Sequence, residues 1–210
     1  MSTSTLLEAR DLGCIRKDRQ LFAHLEFALE AGEMLVVEGP NGCGKTSLLR
    51  ILTGLRLADS GDILWRGEPI DRLAGDYYEQ VNYVGHHDGI KHELSCLENL
   101  RLARAMGIPS AADLDDVLEQ VNLYAYGETD VAALSAGQKR RLALARLLAT
   151  DSLLWILDEP FTSLDKASMS MFAGMFERHL ECDGVIVITS HHDIELPTRE
   201  VQRLNLGQVP

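Results

Sequence analysis

No apolar run in this chain of 210 residues approaches the ~20 residues needed to span a bilayer. The longest, Leu153–Leu157 and Val185–Ile188, have the length of buried strands, so any membrane role has to come through a partner and not by insertion. Cysteine is sparse. Cys14, Cys43, Cys96 and Cys182 are widely spaced and form no CxxC pair, which argues against a disulfide framework or a zinc site and for reduced thiols in a cytoplasmic setting. Positive charge is also short: 20 Lys and Arg stand against 32 Asp and Glu, a net charge of −12. That balance disfavours nucleic acid, which needs clustered cations to displace counterions, and disfavours adhesion to anionic lipid. Met1–Thr5 has neither a basic flank nor an apolar stretch and does not read as a secretory signal. Internal repeats, low-complexity segments and long linkers are missing as well.

What remains is an α/β pattern. With 46% hydrophobic residues the chain can bury one sizeable core, and strand-like runs alternate with helical ones. Leu6–Leu12, Leu25–Leu29, Met34–Val37, Ile63–Trp65 and Asn82–Val84 read as strands. The middle changes character: Ser95-Cys-Leu-Glu98 is a capping box opening a helix to about Ala105, stopped by Gly107 and Pro109. Ala111–Gln120 and Ala136–Ala149 read as further helices before strand signals return at Leu153–Leu157 and Val185–Thr189. The expectation is a single domain over 1–210, its core at about 1–86 and 151–210 and a helical insertion at about 87–150.

Gly39-Pro40-Asn41-Gly42-Cys43-Gly44-Lys45-Thr46, followed by Ser47, fits GxxxxGK[ST] and lies between a strand and a helix. Successive backbone N–H groups can wrap a phosphate only where side chains do not block its approach, hence the glycines. The helix N-terminus adds partial positive charge. Lys45 is placed to neutralise the β- and γ-phosphates and Thr46 to ligate Mg²⁺. Cys43, inside this loop, reads either as a small tolerated residue or as a reactive thiol activated by the surrounding N–H groups and Lys45. Leu153–Leu157 runs straight into Asp158 and Glu159, carboxylates suited to holding a metal through water and to polarising an attacking water.

Leu134-Ser-Ala-Gly-Gln138, at the start of an amphipathic helix, turns these pieces into a set. With it the sequence resembles the ABC ATPase family, whose signature is LSGGQ. Ser163-Leu-Asp165 matches the family's D-loop, and Ser190-His191 after the last strand matches its switch histidine. The motifs follow the family's order across residues 39–191. The resemblance implies a P-loop NTPase core sheet with a helical signature subdomain, and hydrolysis of ATP with Mg²⁺. Glu159, His191 and Lys45 then carry catalysis. Ser135, Gly137 and Gln138 form a second anion site that closes on the nucleotide of another copy in a head-to-tail dimer. Ala136 stands where glycine is commonest.

Two departures are informative. The family usually carries an aromatic side chain before the cradle that stacks on adenine, whereas Leu12-Gly-Cys-Ile-Arg16-Lys-Asp has none. Arg16 either stacks its planar guanidinium there or is simply an exposed basic residue in a strand-end turn. Where the family has the glutamine of its Q-loop, this chain has Tyr83-Val-Gly-His86-His-Asp-Gly-Ile-Lys91. That variant resembles the ATP-binding subunits of haem-handling exporters in cytochrome c biogenesis. The resemblance implies integral-membrane permease subunits as partners, a haem chaperone indirectly, and residence on the cytoplasmic face of the bacterial inner membrane. His86 occupies a metal-associated position, yet Mg²⁺ prefers oxygen, so it is expected to act through water or as a contact to the membrane partner. Direct haem ligation by His86, His87, His92, His191 or His192 is disfavoured, because no further ligand completes a set. The ATPase subunit of another small ABC exporter, a soluble ABC ATPase acting in DNA repair or translation, or a non-catalytic nucleotide-binding scaffold would be the competing functions.

Overall fold

The computed structural model describes residues 5–190 and 201–208. Two long strands, β1 (Thr5–Arg16) and β2 (Arg19–Glu30), form a hairpin, and β3 (Met34–Glu38) leads through the Gly-rich turn into α1 (Lys45–Leu52). β4 (Ser60–Trp65) and β5 (Glu68–Pro69) precede two single-turn helices, α2 (Ile70–Leu73) and α3 (Gly75–Tyr78), and then β6 (Val81–Val84). The helical stretch holds α4 (Cys96–Met106), α5 (Leu114–Gln120) and α6 (Ala136–Ala149). β7 (Leu154–Asp158), α7 (Lys166–Glu181), β8 (Val185–Thr189) and β9 (Gln202–Asn205) follow.

These strands make two sheets. One is antiparallel in the order β2-β1-β4-β5, and the other is parallel in the order β6-β7-β8-β3-β9. The parallel strands read as unbroken apolar runs because both faces are covered. Alternate residues of each strand serve different cores: Met34, Val36, Trp155, Leu157, Ile186 and Ile188 face the cluster built with α4, α6 and α7. Leu35, Val37, Leu154, Ile156, Val185 and Val187 face the cluster shared with α1 and the antiparallel sheet. Fully burying each such side chain contributes roughly 1.5–3 kcal/mol, so the sheet is anchored from two sides.

Several boundaries differ from the sequence expectation. β1 and β2 run to a two-residue turn at Lys17 and Asp18, both with positive φ (49° and 59°), where the sequence suggests two shorter strands. The helix expected from Ala111 begins only at Leu114, because Asp113 caps it by accepting from Asp115 N at 2.8 Å. The Ser95–Glu98 capping box is present in both directions. Helix α7 and strand β9 had no assignment from sequence. The His179 ring stacks on Trp155 at 3.7 Å and 7°, and a Cβ at Gly184 would lie 2.3 Å from its Nε2, so a side chain at Gly184 would have to displace that ring. Burial pushes the His179 imidazole down to about 4. Among the described residues no helix is long and apolar enough to cross a membrane.

Candidate active site

The cradle starts where β3 ends. Gly39 (φ 140°) and Gly44 (φ 115°) take backbone conformations that side chains rarely adopt. Both are also sterically closed. A Cβ at Gly39 would meet Cys43 Sγ at 2.8 Å and Gly207 N at 3.3 Å, and one at Gly44 would meet Leu21 Cβ at 3.1 Å and the Phe22 ring at 3.2 Å. The cradle is therefore seated between the C-terminal turn and the β1–β2 hairpin. Lys45 is 7% exposed and its Nζ donates to the Gly39 carbonyl at 2.7 Å, which holds the ammonium over the loop. Cys43 is 8% exposed and packs in the core beneath the loop. Of the two readings of Cys43, this placement favours the small residue tolerated in the loop: the side chain packs in the core cluster, and the backbone is left for a phosphate.

Across a cavity of about 200 Å³ walled by Arg16, Leu21, Asn41, Gly42, Gly44, Lys45, Thr46 and Ser47 lies Glu159. Glu159 has φ 49°, a strained conformation costing of order 1–3 kcal/mol that persists only when its surroundings over-determine it. Here they do. Glu159 N donates to Thr189 Oγ1 at 2.9 Å and to Thr189 O at 3.2 Å, and Thr189 Oγ1 in turn donates to Asp158 Oδ1 at 2.7 Å. Asp158 is 2% exposed, and its Oδ2 has no hydrogen-bond partner among the described residues. A buried, unpartnered carboxylate oxygen is costly unless a cation or water serves it.

The remaining support comes from Arg140, buried in α6 at 4% exposure. Its guanidinium donates to the carbonyls of Asp158 (3.0 Å), Glu159 (2.8 Å), Pro160 (2.9 Å) and Gly85 (3.0 Å) and to Asp88 Oδ1 (2.9 Å). One side chain thus ties the signature helix, the acidic strand end and the His86 loop together. Arg140 and Thr189 were not singled out from the sequence. The available signal was positional: Arg140 precedes Ala143, Leu144 and Leu147 by three, four and seven residues, which puts a cation on the buried stripe.

Ser135 and Gln138 cap α6 reciprocally, Ser135 Oγ accepting from Gln138 N at 3.3 Å and Gln138 Oε1 from Ser135 N at 2.9 Å. A Cβ at Gly137 would come 3.0 Å from the Ser163 carbonyl, so this signature position is closed by the D-loop while Ala136 is exposed. Ser135, Gly137 and Gln138 do not line the cradle cavity of their own chain. His86 lines a second cavity, of about 430 Å³, with His87, Asp88, Arg50, Arg146 and Thr46. Thr46 therefore borders both cavities. No group of three or more His, Cys, Asp or Glu side chains suited to a metal ion occurs among the described residues. His191 lies outside the described residues.

Residues 22–162 match the family model described as "ABC transporter". The chain is 46% identical over 205 residues to the "Cytochrome c biogenesis ATP-binding export protein CcmA" of Nitrosospira multiformis, covering 95% of this chain and 98% of that protein. It is 41% identical over 203 residues to the protein of that name in Escherichia coli K12, covering 97% of each. Among solved structures, an ABC transporter ATP-binding protein from Pyrococcus furiosus superposes with a TM-score of 0.82 at 24% identity, covering 95% of this chain and 96% of that one. The "ATP binding subunit of ABC transporter" gives 0.79 at 25% identity over 89% of this chain and 80% of that one.

Proposed function

The chain belongs to the ABC transporter ATP-binding family, and we propose that it is the ATP-hydrolysing subunit of a membrane export complex serving cytochrome c biogenesis. The observation that carries the hydrolytic reading is the single cavity walled by Lys45, Thr46 and Glu159. Cradle N–H groups and Lys45 neutralise the triphosphate, and Glu159, at the mouth of the acidic strand, takes the proton of the attacking water. Gly39, Pro40, Asn41, Gly42, Cys43 and Gly44 contribute backbone to the phosphates, and Ser47 follows in the first turn of α1.

The residues fit Mg²⁺. Asp158 Oδ2 is buried and unpartnered among the described residues, Thr46 offers an exposed hydroxyl on the cavity that Glu159, the residue after Asp158, also lines, and both are oxygen donors of the kind this ion prefers. Bound there, the ion would neutralise charge on the β- and γ-phosphates. Imidazole suits Mg²⁺ poorly, so His86 is assigned a water-mediated or partner-facing role. His191 keeps its family role as the γ-phosphate sensor.

Ser135, Gly137 and Gln138, remote from their own cradle cavity, serve the nucleotide of a second copy. The membrane subunits dock on the side marked by exposed Leu55, Leu57, Tyr78 and Met106 (69%, 83%, 51% and 78% exposed). Tyr78 lines one surface pocket with Leu57 and another with Met106, so three of these exposed apolar side chains border adjoining depressions of the kind a partner surface can fill. With an acidic chain and no spanning helix among the described residues, attachment is peripheral, on the cytoplasmic face of the inner membrane. The molecule handled is haem, through a chaperone released on ATP turnover. Co-purification with membrane-spanning partners from detergent extracts, and ATP-dependent release of a haem-loaded chaperone from that assembly, test the reading. A chain that stays monomeric and unattached, with haem release indifferent to ATP, would overturn it.

A further inference from the structure

We propose that Arg16 holds the nucleotide base with its planar guanidinium, and that the site in consequence accepts GTP and other nucleoside triphosphates alongside ATP. The proposal rests on reading the Gly-rich turn as the phosphate site. With the phosphates on the cradle, the wall left for the base is the one the β1–β2 hairpin contributes to the same cavity, Arg16 and Leu21. Among the described residues that lining contains no aromatic ring, and its only amide, Asn41, belongs to the cradle itself.

The hairpin tip is held in place. Leu21 and Phe22 press on Gly44. Just before Arg16, Ile15 N donates to Asp59 Oδ2 at 2.8 Å and the Ile15 carbonyl accepts from Arg56 at 2.7 Å. Cys14 is fully buried and packs in the core cluster shared with α1. The backbone that carries Arg16 is thus fixed relative to the cradle, while the side chain is exposed.

Charge at the tip points the same way. Arg16 pairs directly with Arg19 across the hairpin, with Lys17 in the intervening turn. Like charges opposed on adjacent strands are destabilising, and a polyanionic nucleotide beside them relieves that repulsion. A guanidinium stacks on the face of any base and donates to acceptors such as N7 or O6. Every base has such a face, so stacking discriminates weakly among them.

Steady-state hydrolysis of ATP, GTP and CTP by the assembled complex, with affinities for fluorescent ATP and GTP analogues, tests this. We expect kcat/KM for GTP within about tenfold of that for ATP. Arg16→Ala should raise KM and weaken analogue binding by about 5- to 30-fold for each nucleotide, the range of a desolvated cation–π contact, with kcat changed far less. Arg16→Tyr should restore ATP affinity, since a ring presents an equivalent stacking face. Preference for ATP over GTP beyond about 100-fold, or Arg16→Ala affinities equal to wild type, would overturn the proposal while leaving the ATPase reading intact. Failure of the wild-type complex to hydrolyse any nucleotide would overturn both.

Discussion

The cradle and the acidic strand end face one cavity, yet the cradle is shaped by side chains that are missing and the strand end by side chains that arrive from elsewhere. At Gly39 and Gly44 the absence of a Cβ lets the C-terminal turn and the hairpin close on the loop. At Asp158 and Glu159 the shaping is done by Thr189 from the neighbouring strand and Arg140 from the signature helix. The first region is shaped by close packing against bare backbone. The second is held by hydrogen bonds from side chains 18 to 31 residues away, so a single substitution can remove a link there without touching the strand end itself.

The strongest way to sharpen that contrast is to remove chemistry from the strand end without changing its shape. Glu159→Gln should keep nucleotide binding but lower turnover by about 10²–10⁴-fold, the usual contribution of a positioned general base. ATP should then trap the dimer, and near-normal turnover would take Glu159 out of its assigned role. Arg140→Ala should be the most destabilising single change, by about 3–5 kcal/mol, because it strands buried carbonyls and unpairs Asp88. Denaturant midpoints measure this; a loss no larger than that of a surface substitution would mean the network is not what holds α6 to the strand end.

Acid should reveal a third, remote contribution. The folded-state value of His179 is lowered to about 4 from the ~6.5 of an unfolded chain. Between those values the unfolded chain binds the extra proton, so stability is intact above about pH 6.5 and declines as pH falls toward 4, by up to about 3 kcal/mol. His179→Phe should flatten that limb while leaving turnover near neutral pH in place; an unchanged acid limb would assign the loss to other groups. Thr189→Val, close in shape but without the hydroxyl, should cost about 1–3 kcal/mol by removing a buried link between the Glu159 N–H and Asp158, and should slow turnover. Smallest of all, Ala136→Gly should stay within about 1 kcal/mol of the parent in thermal unfolding. Gly137→Ala, facing the Ser163 carbonyl, should reduce activity more than Ala136→Gly does; equal effects would mean the D-loop contact yields freely.

The contrast between the two regions also decides what could be read in advance. The parallel strands were legible because a sheet covered on both faces demands unbroken apolar runs, and Leu153–Leu157 and Val185–Thr189 carry them. The cradle was legible because its constraint is local: glycines at fixed spacing followed by Lys45 and Thr46. The Ser95 cap was legible for the same reason. The buried orientation of Cys43 was not, since a loop's spacing does not say which way a small side chain turns. Nor was the extent of β1, whose continuation through Gly13 to Arg16 depends on pairing with Phe22, Gln20 and Arg19. Arg140 showed as a cation on the buried stripe of its helix, but its role did not, because its partners lie on two separate segments and nothing in the neighbouring residues names them.

Thr46 stands in the wall shared by the nucleotide cavity and the His86 cavity, and a shared wall has a thermodynamic consequence. If occupation of one cavity shifts that wall, the two binding equilibria are linked, and linkage is reciprocal. A membrane partner whose contact at the His86 loop strengthens nucleotide binding by about tenfold must itself be held about tenfold more tightly when nucleotide is present, a coupling of about 1.4 kcal/mol. The subunit would then report its nucleotide state to the membrane and receive the partner's state through the same hydroxyl-bearing residue, with no separate transmitting element required.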